Sequence, residues 1–236
     1  MPTIGFATIA ESPRDDVVPA MRAFLPPDAR IAELGCLDGL APAEIAALGP
    51  EAGEVGIVAR LKAGGSTLLS HSKILPRMQG VVDELIAEKG ADLIVILCGA
   101  DWSAIHADRF VVNPGRLFPG VIGGLAHGRR LGIIKPSAGQ IASEYARYRS
   151  QAIDAVVTAA NPYAGEERLS LARLAGQEMR GAGCDLIWMT CIGMDIAMRD
   201  AVAEVTGKPV VLAQAILGRI VAELLPVRQP AFAGVS

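Results

Sequence analysis

The stretch that decides the fold occurs twice, as "GADLIVILC" at residues 90–98 and as "GCDLIWMTC" at residues 183–191. Both copies begin with glycine, carry Asp, Leu and Ile at the same places, and end on a cysteine, Cys98 or Cys191. A short apolar run that follows a glycine is typical of a buried strand in a parallel sheet. We therefore predict two equivalent strands, each ending on a thiol.

A second repeat supports the first. "TIGFATIAESP" (3–13) and "RLGIIKPSAGQ" (130–140) are both apolar strands with an early glycine, followed by a loop that contains Pro and Ser. Between such strands lie helical patterns, of which the clearest has apolar residues at helical spacing from Ile74 to Ile86. Alternating strands and helices give parallel sheets that are covered on both faces. The predicted fold is α/β, with two pseudo-symmetric, doubly wound, Rossmann-like lobes around a central cleft.

The predicted domain organisation follows the repeats. The pattern is less regular over 99–130, and it leaves 151–161 as either a strand or a helix end. The last amphipathic pattern is a helix that crosses back to the first lobe, and the residues after it form a loose tail. The predicted units are a first lobe (1–124), a second lobe (125–212) and a C-terminal helical segment (213–236).

Composition excludes several classes of function. The 236 residues are 51% apolar and carry a formal charge of -3, so nothing indicates a nucleic-acid partner. The apolar runs are too short to span a membrane, and the N-terminus lacks the features of a signal peptide. We therefore expect a cytoplasmic protein with reduced cysteines. The sequence leaves the oligomeric state open, including a homo-oligomer.

The sequence also lacks cofactor motifs. No two cysteines form C-x-x-C, and the histidines show no metal-ligand spacing, so no metal is predicted. There is no G-x-G-x-x-G after the first strand, no Walker A loop and no G-x-S-x-G elbow. We predict no cofactor, although a single Schiff-base lysine would leave no motif.

The two terminal thiols suggest a chemistry. Ligands of parallel sheets bind beyond the carboxyl ends of the strands, so Cys98 and Cys191 would approach one cleft from opposite sides. A following helix N-terminus would lower a thiol pKa from about 8.5 towards neutrality. Two thiols that face one carbon can invert it, one as base and the other as acid. The alternative is that both cysteines only fill space in the core.

The other two cysteines and two acidic residues are assigned no catalytic role. Cys184 begins its strand, away from the binding end, and Cys36 has no partner in the repeat. Asp92 and Asp185 lie at the same far end, where we expect their carboxylates to accept hydrogen bonds from loop N–H groups.

A small carboxylate would be held by the loops at the cleft. Backbone N–H groups after each cysteine can bind an anion, and Arg14 can grip a carboxylate through two parallel hydrogen bonds. The alternative for Arg14 is a solvated charge beside Asp15 and Asp16, and for Ser12 a turn residue. The predicted substrate-binding residues are Ser12, Arg14, Gly99, Ala100, Thr190, Ile192 and Gly193.

Four segments resemble the AroM family of bacterial proteins: "TIGFATIAESPRDDVVP" (3–19), "ELGCLDGL" (33–40), "LGPEAGEVGIVARLKAGG" (48–65) and "ILPRMQGVVDEL" (74–85). AroM proteins look like members of the aspartate/glutamate racemase superfamily. The resemblance implies two doubly wound lobes and cofactor-independent chemistry by one or two cysteines on a small carboxylate.

The residues beside the cysteines limit what the resemblance implies. Racemases of this kind have Cys-Asn-Thr at the first cysteine and Gly-Cys-Thr at the second, whereas this chain has Cys98-Gly99-Ala100 and Thr190-Cys191-Ile192. The expected function is thus a two-cysteine racemase or isomerase, although the amide and hydroxyl neighbours that hold the amino acid in an ordinary aspartate or glutamate racemase are missing. A one-cysteine decarboxylase and a non-catalytic small-molecule binding protein remain as alternatives.

Overall fold

The computed structural model describes residues 2–225. The predicted tail, residues 226–236, lies outside the described residues. Among the helices that are described, none is both long and apolar enough to cross a bilayer.

The chain alternates strands and helices, as the apolar patterning predicts. The first part contains β1 (Thr3–Thr8), α1 (Val18–Arg22), β2 (Arg30–Gly35), α2 (Pro42–Ala47), β3 (Ile57–Arg60), β4 (Ser66–Leu69), α3 (His71–Ala87), β5 (Leu93–Ile96), β6 (Phe110–Val112) and α4 (Pro114–Leu125). The second part contains β7 (Leu131–Lys135), α5 (Ile141–Arg149), β8 (Ala155–Ala159), α6 (Arg168–Gly181), β9 (Leu186–Met189), α7 (Ile196–Thr206), β10 (Val210–Leu212) and α8 (Ala213–Leu224).

The two main sheets have the same topology. Their strand orders are β2-β1-β5-β6 and β10-β9-β7-β8, and every pair in them is parallel. β1 lies between β2 and β5 in the first sheet, and β7 lies between β8 and β9 in the second. The repeated strands β5 and β9 therefore occupy equivalent positions. This confirms the predicted pair of pseudo-symmetric α/β lobes.

Equivalent packing explains the early glycine in both restarting strands. A Cβ added to Gly5 would lie 2.8 Å from Cδ1 of Ile94, and one added to Gly132 would lie 2.8 Å from Cδ1 of Ile187. Since Ile94 and Ile187 hold the same place in the repeated strands, each lobe needs a residue without a side chain at this crossing.

Asp92 and Asp185 form hydrogen bonds with backbone N–H groups at the ends of the sheets opposite the cysteines. Asp92 Oδ2 accepts a hydrogen bond from the N–H of Thr3 at 2.8 Å, and Asp185 Oδ2 accepts one from the N–H of Arg130 at 3.1 Å. The structural role predicted for the two carboxylates is confirmed.

The structure corrects three local predictions. The stretch 99–130, expected to be irregular, contains β6 and α4, and α5 was not predicted at all. The open choice at 151–161 is resolved as the strand β8. β6 has only three residues, and α5 buries only Glu144 and Tyr148, so neither produces a clear apolar period.

Two elements link the lobes. α8 follows the second sheet and packs on α1, where the guanidinium of Arg219 lies 4.3 Å from the ring centroid of Phe24. β3 and β4 form an antiparallel hairpin outside both main sheets. The hairpin contacts the second lobe, because Gln140 Nε2 donates a hydrogen bond to the carbonyl oxygen of Gly56 at 2.9 Å. The boundaries at 124/125 and 212/213 stay a prediction.

Candidate active site

Cys98 and Cys191 line one cavity of about 210 Å³ between the lobes. Cys98 comes two residues after β5 and is 6% exposed, while Cys191 comes two residues after β9 and is half-buried. Both are free thiols. The shared cavity arises because equivalent strands point their carboxyl ends towards the cleft from each side.

The loops after the two strands meet at this cavity. A Cβ added to Gly99 would lie 3.4 Å from the carbonyl oxygen of Thr190. Ala100 also lines the cavity, together with Gly99 and Thr190. Three of the predicted substrate-binding residues thus lie at the cavity wall.

Burial raises the pKa of both thiols, contrary to the lowering that we expected from a helix N-terminus. The pKa of Cys98 rises to about 11, and that of Cys191 rises as well. Backbone N–H groups two residues on oppose this effect by hydrogen bonding, Ala100 for Cys98 and Gly193 for Cys191. The expectation was wrong because removal from water outweighs these donors, and because no helix directly follows β5.

Lys135 supplies a positive charge that acts on both thiols. It is the last residue of β7, lines the cavity, and lowers the pKa of Cys98 and of Cys191 by charge attraction. Its Nζ lies 3.2 Å from Oε2 of Glu144, and the two side chains are 16% and 11% exposed. A carboxylate bound near the thiols would therefore share the Lys135 ammonium with Glu144.

Sequence reasoning missed the polar wall that α5 provides. The only signal for Lys135 was its place at the end of the restarting strand, in "LGIIKPS". The polar and aromatic residues that this helix and the turn before it bring to the cavity are Gln140, Ser143, Glu144, Arg147 and Tyr148.

Ser12 and Arg14 do not lie among the residues that line the cavity. Ser12 Oγ donates a hydrogen bond to Oδ2 of Asp38 at 2.5 Å. Arg14 is 2% exposed, and its Nε and NH2 donate to the carboxylate of Asp16, at 2.8 Å each. The parallel hydrogen bonds foreseen for a substrate are thus made within the protein.

Arg14 nevertheless affects the site through its charge near Cys191 and its hydrogen bond to Tyr163. Its NH2 also donates to the hydroxyl of Tyr163 at 3.2 Å, and its charge lowers the pKa of Cys191. Tyr163 packs directly on Gly193, where an added Cβ would lie 2.6 Å from Cζ of the ring. Gly193 and the buried Ile192 therefore support the Cys191 loop and do not line the cavity.

The two remaining cysteines lie in the cores of the lobes. Cys36 is fully buried, and Cys184 is 1% exposed with its sulfur 3.7 Å from that of Met179. Neither lines the cavity between the lobes, and Cys184 therefore provides a control for experiments on the cavity thiols.

Comparison with known proteins agrees with this architecture. A family model described as "AroM protein" matches residues 4–225. The fold is similar to that of Picrophilus torridus aspartate racemase, with a TM-score of 0.60, 10% identity, and coverage of 95% of this chain and 94% of that one. No curated protein sequence matches the chain.

Two further solved structures share the fold. A glutamate racemase from Francisella tularensis subsp. tularensis SCHU S4 in complex with D-glutamate has a TM-score of 0.59 and 12% identity, with coverage of 94% of this chain and 80% of that one. An unliganded arylmalonate decarboxylase has a TM-score of 0.57 and 17% identity, with coverage of 98% and 94%. At these identities the similarity establishes the fold alone.

Proposed function

Because the chain belongs to the AroM family, whose fold is that of racemases and of a decarboxylase, we propose that it is a cofactor-independent racemase or isomerase. Its substrate is a small carboxylate, and Cys98 and Cys191 exchange protons with one carbon. The observation that carries the proposal is that both thiols line a single cavity together with the ammonium group of Lys135.

The reaction begins at Cys191. In the reacting form Cys191 is a thiolate that has released its proton to solvent before the substrate binds; burial raises the pKa of this thiol, and the charges of Arg14 and Lys135 oppose that rise. The thiolate removes the proton beside the substrate carboxylate, and the electron pair of the C–H bond moves into the carboxylate. The thiol of Cys98 then returns a proton to the opposite face, so the reaction leaves a thiol at Cys191 and a thiolate at Cys98.

Lys135 stabilises the charge that develops on the substrate. A cation held in a partly dry cavity stabilises an enediolate more than the starting carboxylate, and such groups supply large parts of enzymatic rate enhancements. The cavity of about 210 Å³ favours a small substrate, since drug-sized ligands occupy clefts of roughly 300 Å³ or more.

The test uses a panel of small carboxylic acids in deuterated water. Activation of a carbon is detected by NMR as exchange of its proton for deuterium. We expect exchange with the wild-type protein and none with Cys98→Ser or Cys191→Ser, while Cys184→Ser exchanges normally because Cys184 is buried away from the cavity. Full exchange in both cavity-thiol variants would overturn the proposal.

A one-cysteine decarboxylase is the second candidate. It is favoured by the fold shared with an arylmalonate decarboxylase and by the raised pKa of Cys98, which keeps this thiol protonated. Release of CO₂ from a substrate with two carboxylates on one carbon, abolished by Cys191→Ser but not by Cys98→Ser, would identify this reaction.

A non-catalytic binding protein is distinguished by the thiols themselves. Burial of both thiols is compatible with this alternative. Its signature would be a carboxylic acid that protects Cys191 from iodoacetamide without proton exchange or CO₂ release.

A further inference from the structure

Arg147 brings a positive charge without a carboxylate partner to the cavity that Cys98 and Cys191 share. It lies on α5, is half-buried and lines the cavity. A guanidinium carries five N–H donors in a planar fork, and NH2 of Arg147 donates to the carbonyl oxygen of Gly115 at 3.3 Å. Across the described residues 2–225, no carboxylate lies within ion-pair distance of Arg147. Its charge is therefore available to an anion that enters the cavity.

The hydrogen bond to Gly115 has a structural cause of its own. In a regular helix the carbonyl oxygen of Gly115 would accept from the N–H of the residue four places on, and that residue is Pro119, which has no N–H. Arg147 supplies the missing donor from the second lobe. This contact fixes the position of the guanidinium and leaves its other N–H groups free for a ligand.

The charges on this wall of the cavity do not cancel. Glu144 lies one turn before Arg147 on α5, and both side chains line the cavity together with Lys135. The carboxylate of Glu144 pairs with Lys135, with 3.2 Å between Oε2 and Nζ. These three side chains thus carry a net charge of about +1 at neutral pH, and the positive charge that is left over belongs to Arg147.

The two cations belong to different sides of the cavity. The residue before Lys135 accepts a hydrogen bond through its carbonyl oxygen from the N–H of Thr190 at 3.1 Å, and Thr190 directly precedes the thiol of the second lobe. Gly115, to which Arg147 donates, packs against the carbonyl group of Ala100, in the loop after the thiol of the first lobe. A ligand with two anionic groups can therefore meet one cation on each side.

We propose that Arg147 is a specificity-determining residue that binds a second carboxylate of the substrate, remote from the carbon that exchanges its proton. Lys135 faces the carboxylate beside that carbon, and the guanidinium of Arg147 binds the other through charge-assisted N–H···O bonds. The inference rests on the proposed function for the position of the reacting carbon, whereas the preference for two charges is a property of binding. A failure of the proposed function would appear in the exchange assay, and a failure of this inference in binding measurements.

The test compares ligands that differ only in the second carboxylate. Succinate is matched with butanoate and glutarate with pentanoate, because each monocarboxylate has a methyl group in place of one carboxylate of the diacid. Isothermal titration calorimetry gives the Kd of each ligand without any need for turnover. We expect the wild-type protein to bind at least one diacid about tenfold more tightly than its matched monocarboxylate, as a charge-assisted contact in a half-buried site allows.

Arg147→Gln removes the charge but keeps an N–H donor for the carbonyl oxygen of Gly115, so the contact between the lobes can persist. In this variant the preference for the diacid should fall to about twofold or less, since the charge-assisted contact is lost. Arg149→Gln is the matched control, because Arg149 is exposed on the same helix and does not line the cavity; its preference should equal that of the wild type. Equal affinities for both members of each pair in the wild type, or a preference that survives Arg147→Gln, would overturn the inference.

Discussion

Lys135 and Glu144 form an ion pair inside the cavity that Cys98 and Cys191 share, with 3.2 Å between Nζ and Oε2. Lys135 ends β7 in the second lobe and Glu144 lies one turn into α5, so the pair is fixed by two neighbouring elements. The carboxylate of Glu144 therefore competes with a substrate carboxylate for the ammonium group of Lys135. Two predictions follow from this competition.

Replacement of Lys135 by Met should lower kcat/KM for deuterium exchange by about 100-fold, because the charge that develops on the substrate loses its cation. Lys208→Met is the matched control, since Lys208 forms a more exposed pair with Asp185, at 3.6 Å, outside the cavity. Equal kcat/KM in Lys135→Met and in the wild type would remove Lys135 from the mechanism.

Replacement of Glu144 by Gln should tighten binding of a carboxylate ligand. The amide keeps the size of the side chain but no longer competes for Lys135, and we expect KM to fall about fivefold, the equivalent of roughly 1 kcal/mol. Steady-state exchange kinetics give KM and kcat separately. A higher KM would mean that Glu144 itself binds the substrate.

The internal repeat could be predicted from the sequence because the residues that define it are required for packing in both lobes. Gly5 and Gly132 face Ile94 and Ile187 at the same crossing in each lobe, so both copies had to keep the small residue and the apolar one. The two cysteines could be predicted as a pair because each ends one of the repeated strands, and equivalent strands end at one cleft. The fold and the two cysteines of the candidate site were thus accessible to pattern reasoning.

The rest of the cavity was not readable, because it depends on contacts between elements without a pattern. α5 buries a carboxylate and a tyrosine in place of an apolar stripe, so it resembles a loop in sequence. For Arg14, the sequence shows an arginine on a suitable loop but not that its guanidinium donates to Asp16. The Lys135–Glu144 pair also needs tertiary structure to be seen.

Arg14→Met separates the predicted role in substrate binding from the role that the contacts support. We expect KM to stay within about twofold of the wild type, while the inflection for alkylation of Cys191 moves to higher pH because the nearby cation is lost. Breaking the pair with Asp16 should also cost about 2 kcal/mol of unfolding free energy. A large rise in KM with an unchanged inflection would restore Arg14 as a direct ligand of the substrate.

Two glycines after the cysteines give a matched steric comparison. A Cβ on Gly193 would overlap Tyr163, whereas a Cβ on Gly99 would make an ordinary contact with Thr190. We expect Gly193→Ala to lower the free energy of unfolding by about 1–3 kcal/mol and Gly99→Ala by much less. Urea unfolding of both variants measures the difference, and equal stabilities would show that the Tyr163 ring moves aside freely.

The raised pKa of Cys98 predicts how the free energy of unfolding depends on pH. Its pKa is about 11 in the folded protein, against about 8.5 in an unfolded chain. Below the unfolded value both states keep the proton, and the stabilisation from the buried neutral thiol is complete. As pH rises from about 8.5 towards 11, the unfolded chain ionises first, so the free energy of unfolding falls, by up to roughly 3 kcal/mol for this group.

Urea unfolding between about pH 7 and pH 11 should therefore show a shallower fall for Cys98→Ser than for the wild type, since serine does not ionise there. Cys36 is also buried with a raised pKa, but it is present in both proteins, so their difference isolates Cys98. Parallel curves for the two proteins would show that Cys98 titrates alike in the folded and unfolded states, and that its cavity is wetter than its 6% exposure implies.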